Sequence, residues 1–491
     1  MNITLYLNTN RMIMKELNRN TVANELRPER IIQFGEGNFL RAFIDWIVWN
    51  MNQKTDFNGN VVVVQPIEWG RVDVLNSQEG LFHLILKGIE KGKQVYTKQL
   101  IDVINRGVNP YTDFSEYLKL AENPEMRFII SNTTEAGIAF NSNDKFSDQP
   151  ASSYPGKLVQ LLHHRYKTFG GDPKKGFIIF PCELIFENGR VLKEVIHQYI
   201  KHWNLEDEFL VWFDEACGVY STLVDRIVPG YPKESAAKIN AELGYDDKLL
   251  VEGEIFHLWV IEAPSHVAQE FPAAKADLNV LFVPSEEPYH QRKVTLLNGP
   301  HTVLSPVGFL SGFDTVRACV ENDLMGEYIH KVMFDELMLT VDLPRKELEQ
   351  FASDVLDRFK NPYINHLLTS IMLNSFSKFK TRDLPGLLSY RAKKGELPQG
   401  LVLGLAAIIT YYRGGKIGDH EINLHDDPKI IELLEQLWRV GDSDQLALGV
   451  LGAEFIWGDN LNKVPGLTSQ LAYFLKAIQE KGIKEVVKEI L

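Results

Sequence analysis

Up to residue 180 the apolar positions gather into short unbroken runs, whereas beyond residue 293 they recur every three or four residues. The runs are RIIQFG (30–35), VVVV (61–64), RFIIS (127–131) and FIIFP (177–181). Short β-branched runs bounded by turn residues suit strands buried on both faces, as in a parallel sheet. Amphipathic stretches between them predict helices at 38–50, 113–121 and 156–168. Strand, glycine turn, helix, strand is the pattern of βαβ units. Residues 191–215 read as helix and 251–262 as strand. The later rhythm predicts helices at 314–338, 344–358, 364–374, 399–413, 428–438, 443–449 and 466–489, punctuated by proline and glycine. The expected architecture is an α/β N-terminal domain over 1–290, with additions, followed by a mostly α-helical domain over 291–491.

A chain of 491 residues exceeds one ordinary hydrophobic core, which agrees with two domains. With 45% hydrophobic and 24% charged residues it is not a largely disordered chain. A net charge of -13 excludes a general attraction for nucleic acid or anionic lipid, while leaving room for a local basic pocket. The expected partner is therefore a small molecule. Cys182, Cys217 and Cys319 are odd in number and far apart, so no disulfide framework is expected and a reducing, cytoplasmic compartment fits. Residues 1–20 lack the pattern of a secretory signal, and Met12 or Met14 reads equally well as a natural start. The most apolar stretch, 401–413, falls short of the ~20 residues that span a membrane and reads as a buried helix.

The first strand ends in GEGNFLRAF (35–43), which opens a helix. Gly35 allows a tight turn, and Gly37 lets a pyrophosphate approach the free N–H groups of the helix start. The third glycine of the dinucleotide fingerprint is replaced by Leu40, so the turn alone is a weak signal. The second strand ends at Gln65, where a ribose-binding acid is usual; Glu68 follows three residues later. Gln65 is the candidate for a ribose hydroxyl. Arg71 reads either as a 2'-phosphate partner or as a solvated arginine, and NAD is expected over NADP. Asn132 and Thr133, in SNTTEAG (131–137), suit the crevice beyond the strand ends, or an ordinary turn.

The segment KVTLLNGPHTVLSPVGFLSG (293–312) carries Lys293, Asn298 and His301. On a regular helix Lys293 and Asn298 lie about 140° apart, a poor match to one face, whereas Asn298 and His301 are i,i+3 neighbours. Reducing a ketone requires hydride at carbon and a proton at oxygen. A lysine of lowered pKa supplies that proton, an amide N–H steadies the alkoxide, and a histidine orients a hydroxyl. On these residues alone, a surface lysine, a capping asparagine and a satisfied core histidine are the commoner reading.

Several ordered motifs together change that balance. GEGNFLRAF, CELIFENG (182–189), STLVDRIVP (221–229), FHLWVIE (256–262), KVTLLNGPH (293–301) and RFKNP (359–363) resemble those of the mannitol dehydrogenase family, across most of the chain. The resemblance implies a Rossmann-type N-terminal domain, a helical C-terminal domain and a zinc-independent active site between them. It implies NAD as cofactor, with Asn38, Phe39 and Arg41 joining Gly35 and Gly37 in its turn. It implies Lys293 as general acid/base, Asn188 and Asn298 polarising the carbonyl, and His301 binding substrate and tuning the lysine. No metal is expected, and the adjacent pair His163–His164 reads as structural or surface. Asp225 is a candidate for substrate hydroxyls, or a structural ion pair with Arg226.

Ser370 and Asn374-Ser-Phe-Ser-Lys378 depart from the arginine and Asp-Gly-Ser-Ser-Lys of the polyol enzymes, and QFGEGNFLRAFIDW and LNSFSKFKTRDLP resemble the family's hexuronate-reducing subgroup. That implies a hexonate or ketohexuronate substrate whose carboxylate needs cationic or amide partners. Lys378 is the first candidate; Lys380 and Arg382 are either further partners or solvated. The rival expectations are an epimeric ketohexuronate, a mannitol or arabinitol dehydrogenase, and a nucleotide-binding regulator with a dead site. The joint presence of Lys293, Asn298 and Asn188 argues against the last. A monomer or weak homo-oligomer is expected from the family resemblance.

Overall fold

The computed structural model describes residues 14–22, 26–134, 136–417 and 420–491. Met12 and residues 1–13 of the segment 1–20 read for a secretory signal lie outside these, as does Glu135 of SNTTEAG. The chain divides into two compact units, Met1–Lys87 with Val95–Glu286, and Gly88–Gln94 with Glu287–Leu491.

The first unit is built on a six-stranded sheet: β1 (Glu29–Phe34), β2 (Asn60–Val64), β3 (Ile104–Val108), β4 (Phe128–Ser131), β5 (Ile178–Pro181) and β6 (Gly218–Val219). The spatial order is β3-β2-β1-β4-β5-β6, and every pairing is parallel. Side chains alternate between two cores. Ile31, Val61, Val63, Phe128 and Ile130 enter one, and Ile32, Val62, Val64, Ile129 and Ile179 enter the other. Burial on both faces is why these strands read as unbroken apolar runs. The register sets Phe34 beside Val64 and Ser131, and Ser131 beside Pro181. The residues that follow these strands, Gly35, Gln65, Asn132 and Cys182, therefore lie along one edge. Strand order reverses between β1 and β4, which makes that part of the edge the topological switch point where open α/β sheets bind ligands.

The expected strand 251–262 is two strands in different sheets. Val251–Glu254 pairs with Phe82–Glu90, and Leu258–Glu262 lies between Thr222–Asp225 and Val280–Val283. The hairpin of Phe82–Glu90 and Lys93–Ile101, turning at Lys91 and Gly92, carries no strong sequence signal because its second strand is mostly exposed or half-buried.

The second unit is mostly helical; among the described residues its strands are the hairpin tip in Gly88–Gln94 and the short pair Lys416–Ile417 and His420–Glu421. Gln399–Tyr411, buried nearly all round, packs against Gly299–Leu310 and Leu467–Lys481. Among the described residues no helix is long and apolar enough to cross a membrane. The expected helix 314–338 is divided at Asn322, whose side chain accepts from the Met325 N–H and so starts a new helix. The expected helix 364–374 contracts to Leu368–Ile371, and 466–489 breaks at Gly482.

Candidate active site

Gly35 leaves β1 with φ +125°, open to glycine alone at no cost, and an added Cβ would press on Leu40 and the Asn132 carbonyl. Gly37 faces open space, with nothing within 4 Å of a built Cβ. The helical stretch 38–54 begins there with no side-chain cap, so its first N–H groups remain for an anion. These features fit a dinucleotide pyrophosphate. Arg41 is buried and braces the turn from behind. Its Nε donates to the Glu36 carbonyl (3.2 Å), its Nη2 to Asn38 Oδ1 (2.7 Å) and its Nη1 to the Leu249 carbonyl. Phe39 stacks on Phe43 at 5.1 Å.

At the β2 end Gln65 folds inward. Its Nε2 donates to the Ile67 and Glu68 carbonyls (both 3.0 Å), and its Oε1 accepts from Val72 N–H (3.4 Å). Its amide is thus committed to shaping the loop 65–72, and a ribose contact would require one of these bonds to open. Arg71 Nη2 donates to the Lys248 carbonyl (3.0 Å), while its N–H donates to Glu36 Oε1 (3.1 Å).

Beyond β4, Asn132 donates to the Cys182 carbonyl (2.6 Å). Thr133 donates both N–H and Oγ1–H to Glu183 Oε1 (each 2.9 Å), and Ser131 Oγ donates to Glu183 Oε2 (3.1 Å). Glu183, whose pKa burial raises against these bonds, therefore holds this loop in place. Sequence reasoning passed over it, although an acid just past a strand end within CELIFENG was a readable signal. Asn188 is fully buried; its Nδ2 donates to the Glu183 and Thr222 carbonyls (both 2.9 Å), and its Oδ1 accepts from Thr222 N–H (2.8 Å). With both N–H groups spent, Asn188 here pins two segments of the first unit, and polarising a substrate carbonyl would require one of those bonds to open. Asp225 ends the strand Thr222–Asp225 and is buried. The Arg226 guanidinium donates to the carbonyls of Ala42 (2.6 Å), Phe256 (3.1 Å) and Ile255 (3.2 Å) and lies 4.2 Å over Trp46.

In the second unit, residues 287–310 are continuously helical, but Val294–Asn298 forms a π turn closed by the Gly299 N–H on the Val294 carbonyl. Pro300 supplies the cause, having no N–H for the Leu296 carbonyl and a ring that crowds it. A π turn places residues five apart one turn above each other. Lys293 and Asn298, set apart on a regular helix, are thereby brought toward a common side, and both are half-buried. His301 bonds the Leu297 carbonyl, and its Nε2 is enclosed without a hydrogen-bond partner among the described residues. Nδ1 is thus the nitrogen that donates, which leaves Nε2 as an acceptor. Burial, then the fields of His366, Arg358 and Arg382, push its pKa well below the usual value, so the ring is neutral. It lies 4.1 Å from the Phe359 ring and 5.1 Å from His366.

Arg382 Nη1 reaches Thr302 Oγ1 (3.3 Å), which itself donates to the Asn298 carbonyl (2.9 Å). Lys378 Nζ donates to the Ile371 carbonyl (2.7 Å), and Ser370 Oγ to that of Leu367 (2.7 Å). Arg382 is thereby tied through Thr302 to the Lys293–His301 segment. Its nearness, and that of Arg358 and His366, arises from tertiary packing and has no local sequence signal. His163 and His164 bond Glu206 and Glu122 (both 2.9 Å). Among the described residues no three His, Cys, Asp or Glu side chains gather to hold a metal. All three cysteines are buried and free.

A parallel sheet with this strand order, a glycine turn at its switch point and a separate helical unit with a lysine–asparagine pair define a dinucleotide-dependent oxidoreductase. The chain belongs to the mannitol dehydrogenase family: the family's Rossmann domain matches residues 29–275 and its C-terminal domain residues 286–479. It is 65% identical over 479 residues to an altronate oxidoreductase of Phocaeicola vulgatus, covering 97% of this chain and 100% of that one. It is 47% identical over 483 residues to an altronate oxidoreductase of Shigella flexneri, with 97% and 100% covered. Two solved structures share the fold at 22% identity. One is a D-sorbitol dehydrogenase in substrate-free form (TM-score 0.79, 94% and 95% covered), and the other a Pseudomonas fluorescens mannitol 2-dehydrogenase in complex with NAD and D-mannitol (TM-score 0.65, 97% and 99% covered).

Proposed function

We propose that the protein is an NAD-dependent tagaturonate reductase, which reduces D-tagaturonate with NADH to D-altronate and catalyses the reverse oxidation. The substrate reading is supported by end-to-end likeness to altronate oxidoreductases. The observation that carries the chemistry is the π turn that brings Lys293 and Asn298 toward one side of a helix. A bound nicotinamide supplies or accepts the hydride at the substrate's carbonyl carbon. The Lys293 ammonium gives its proton to the ketone oxygen during reduction and takes it back from the hydroxyl during oxidation. The Asn298 amide donates to the same oxygen as its charge develops. His301, neutral with Nε2 as acceptor, receives a substrate hydroxyl. Arg382 and Lys378 are the cations for the carboxylate, with the planar guanidinium suited to bidentate pairing. Asn188 and Glu183 act by holding the loops beside the cofactor turn, and Asp225 remains the candidate for a further hydroxyl.

NAD rather than NADP is favoured because Glu36 and Glu68 lie on the turns that follow β1 and β2, where a 2'-phosphate would meet like charge, and because Arg71 is engaged with Lys248 and Glu36. The test follows NADH absorbance with D-tagaturonate, D-fructuronate and D-fructose in parallel, each repeated with NADPH. Turnover of tagaturonate with NADH is expected to exceed the others by at least about tenfold. Lys293→Ala is expected to lose about 10²–10⁴-fold in kcat while still binding NADH. Preference for fructuronate or fructose would overturn the substrate, and an active Lys293→Ala variant would overturn the mechanism.

A further inference from the structure

Beneath the glycine turn lies a buried pair of polar side chains that no step above uses. Gln33, on β1, is two residues before Gly35, and Asp45 ends the π segment Arg41–Asp45; both are fully buried. Gln33 Nε2 donates to the Gly35 carbonyl (3.1 Å) and to Asp45 Oδ2 (3.4 Å). The amide cannot be turned round, because its oxygen would then oppose the Gly35 carbonyl, acceptor against acceptor. Asp45 Oδ1 and Gln33 Oε1 are each buried without a hydrogen-bond partner among the described residues. Two bare acceptors on a pair already joined through their other atoms is a costly arrangement. A proton on Asp45 Oδ1 would give Gln33 Oε1 a donor while Oδ2 still accepts from Nε2, the cyclic pairing open to an acid and a primary amide that already share one hydrogen bond.

We propose that Asp45 is a neutral carboxylic acid which, through Gln33, clamps the Gly35 carbonyl and sets the turn that receives the dinucleotide, so that Asp45 is a positioning residue for cofactor binding. The clamp rests on the reading of Gly35–Gly37 as the dinucleotide turn. Loss of the proton leaves a buried carboxylate oxygen against the Gln33 carbonyl oxygen, breaks the cyclic pairing and loosens the turn. Burial pushes the Asp45 carboxyl up to about 7, with Gln33 and Arg41 pulling the other way, so this proton is exchanged near neutrality. Among the described residues, Arg226 donates to the Ala42 carbonyl on the same segment (2.6 Å). Arg41, on the same segment, is spent on Glu36, Leu249 and Asn38, and also lies in the field of Asp247. On the adjacent strand Val251–Glu254, Glu252 pairs with Lys87, and Glu254 accepts from Ile227 N–H.

The experiment measures NADH affinity by fluorescence titration from pH 6 to 8.5 for the wild type, Asp45→Asn and Gln33→Leu, together with thermal unfolding without NADH. In Asp45→Asn the amide N–H replaces the acid O–H as donor to Gln33, fixing the clamp at every pH. Wild-type Kd is expected to rise about tenfold through neutrality, as linkage to one proton requires. Asp45→Asn is expected to hold the low-pH value throughout. Gln33→Leu is expected to bind NADH weakly at every pH, raising KM for NADH with kcat at saturation little changed. The gain in Tm of Asp45→Asn over the wild type should grow from pH 5 to 7 and then level off. A flat wild-type Kd, a variant that follows the wild-type curve or a constant difference in Tm would overturn the clamp. Absence of NADH binding by the wild type at any pH would instead overturn the dinucleotide reading and with it the clamp's purpose, while the unfolding series still reports whether Asp45 carries the proton.

Discussion

Arg382 stands beside the residues assigned to proton transfer, through Thr302 and the Asn298 carbonyl. In the proposed function, a guanidinium there would give the carboxylate of a hexuronate a partner that a neutral sugar does not use. Arg382→Ala is expected to raise KM for D-tagaturonate about tenfold or more, roughly 1.4 kcal/mol of binding, and to leave D-fructose kinetics unchanged. Equal losses on both would make Arg382 a support of the fold instead. At this scale the sequence offered Lys293, Asn298 and His301 as candidates by chemical type and family resemblance, while regular helical spacing spoke against a shared face for the first two. It was silent where a residue matters through what packs on it. The sequence put Lys378 ahead of Arg382 as the carboxylate partner, yet Arg382 bonds Thr302 while Lys378 is engaged by the Ile371 carbonyl. Gln65 read as a free amide at a strand end and is bonded within its own loop.

Among the elements, the π turn at Val294–Asn298 is the one on which the proposed roles of Lys293 and Asn298 depend. Regular helical spacing separates Lys293 from Asn298, and a proline six residues before the next proline changes that spacing. Pro300→Ala restores an N–H for the Leu296 carbonyl and removes the ring that crowds it, letting the segment wind as α-helix. Proline inside a helix costs about 3 kcal/mol, so Tm is expected to hold or rise while kcat falls at least about tenfold as the pair moves apart. Kinetics and thermal unfolding on the same preparation check this; unchanged kcat would remove the π turn from the mechanism. The sequence contained Gly299-Pro300 and so the possibility of a bend. That the crowding is relieved by a π turn rather than a kink is seen only in the folded helix.

For the molecule as a whole, acid stability should reflect buried groups that must stay neutral. His257 accepts from the Asn279 N–H at Nε2 (2.9 Å), and burial, then Arg226, lower its pKa to about 3. The unfolded chain takes up this proton below pH 6.5, and the folded chain resists until about pH 3. Its contribution is therefore complete above pH 6.5 and declines as the pH falls toward 3, by about 2 kcal/mol at pH 5. His257→Gln keeps an acceptor for Asn279 and does not titrate, so its Tm should fall less than that of the wild type between pH 7 and 5; parallel slopes would exclude His257. The parallel sheet, the helical second half and the glycine turn were determined by the sequence itself, because burial on both faces of a strand and on one face of a helix writes a local apolar period. The division of 251–262 between two sheets, the commitment of Asn188 and Gln65 to backbone partners, the side shared by Lys293 and Asn298, and the buried Gln33–Asp45 pair were decided only by the tertiary structure. Each depends on which groups distant in sequence compete for the same hydrogen bonds and the same space, and a local pattern does not record that competition.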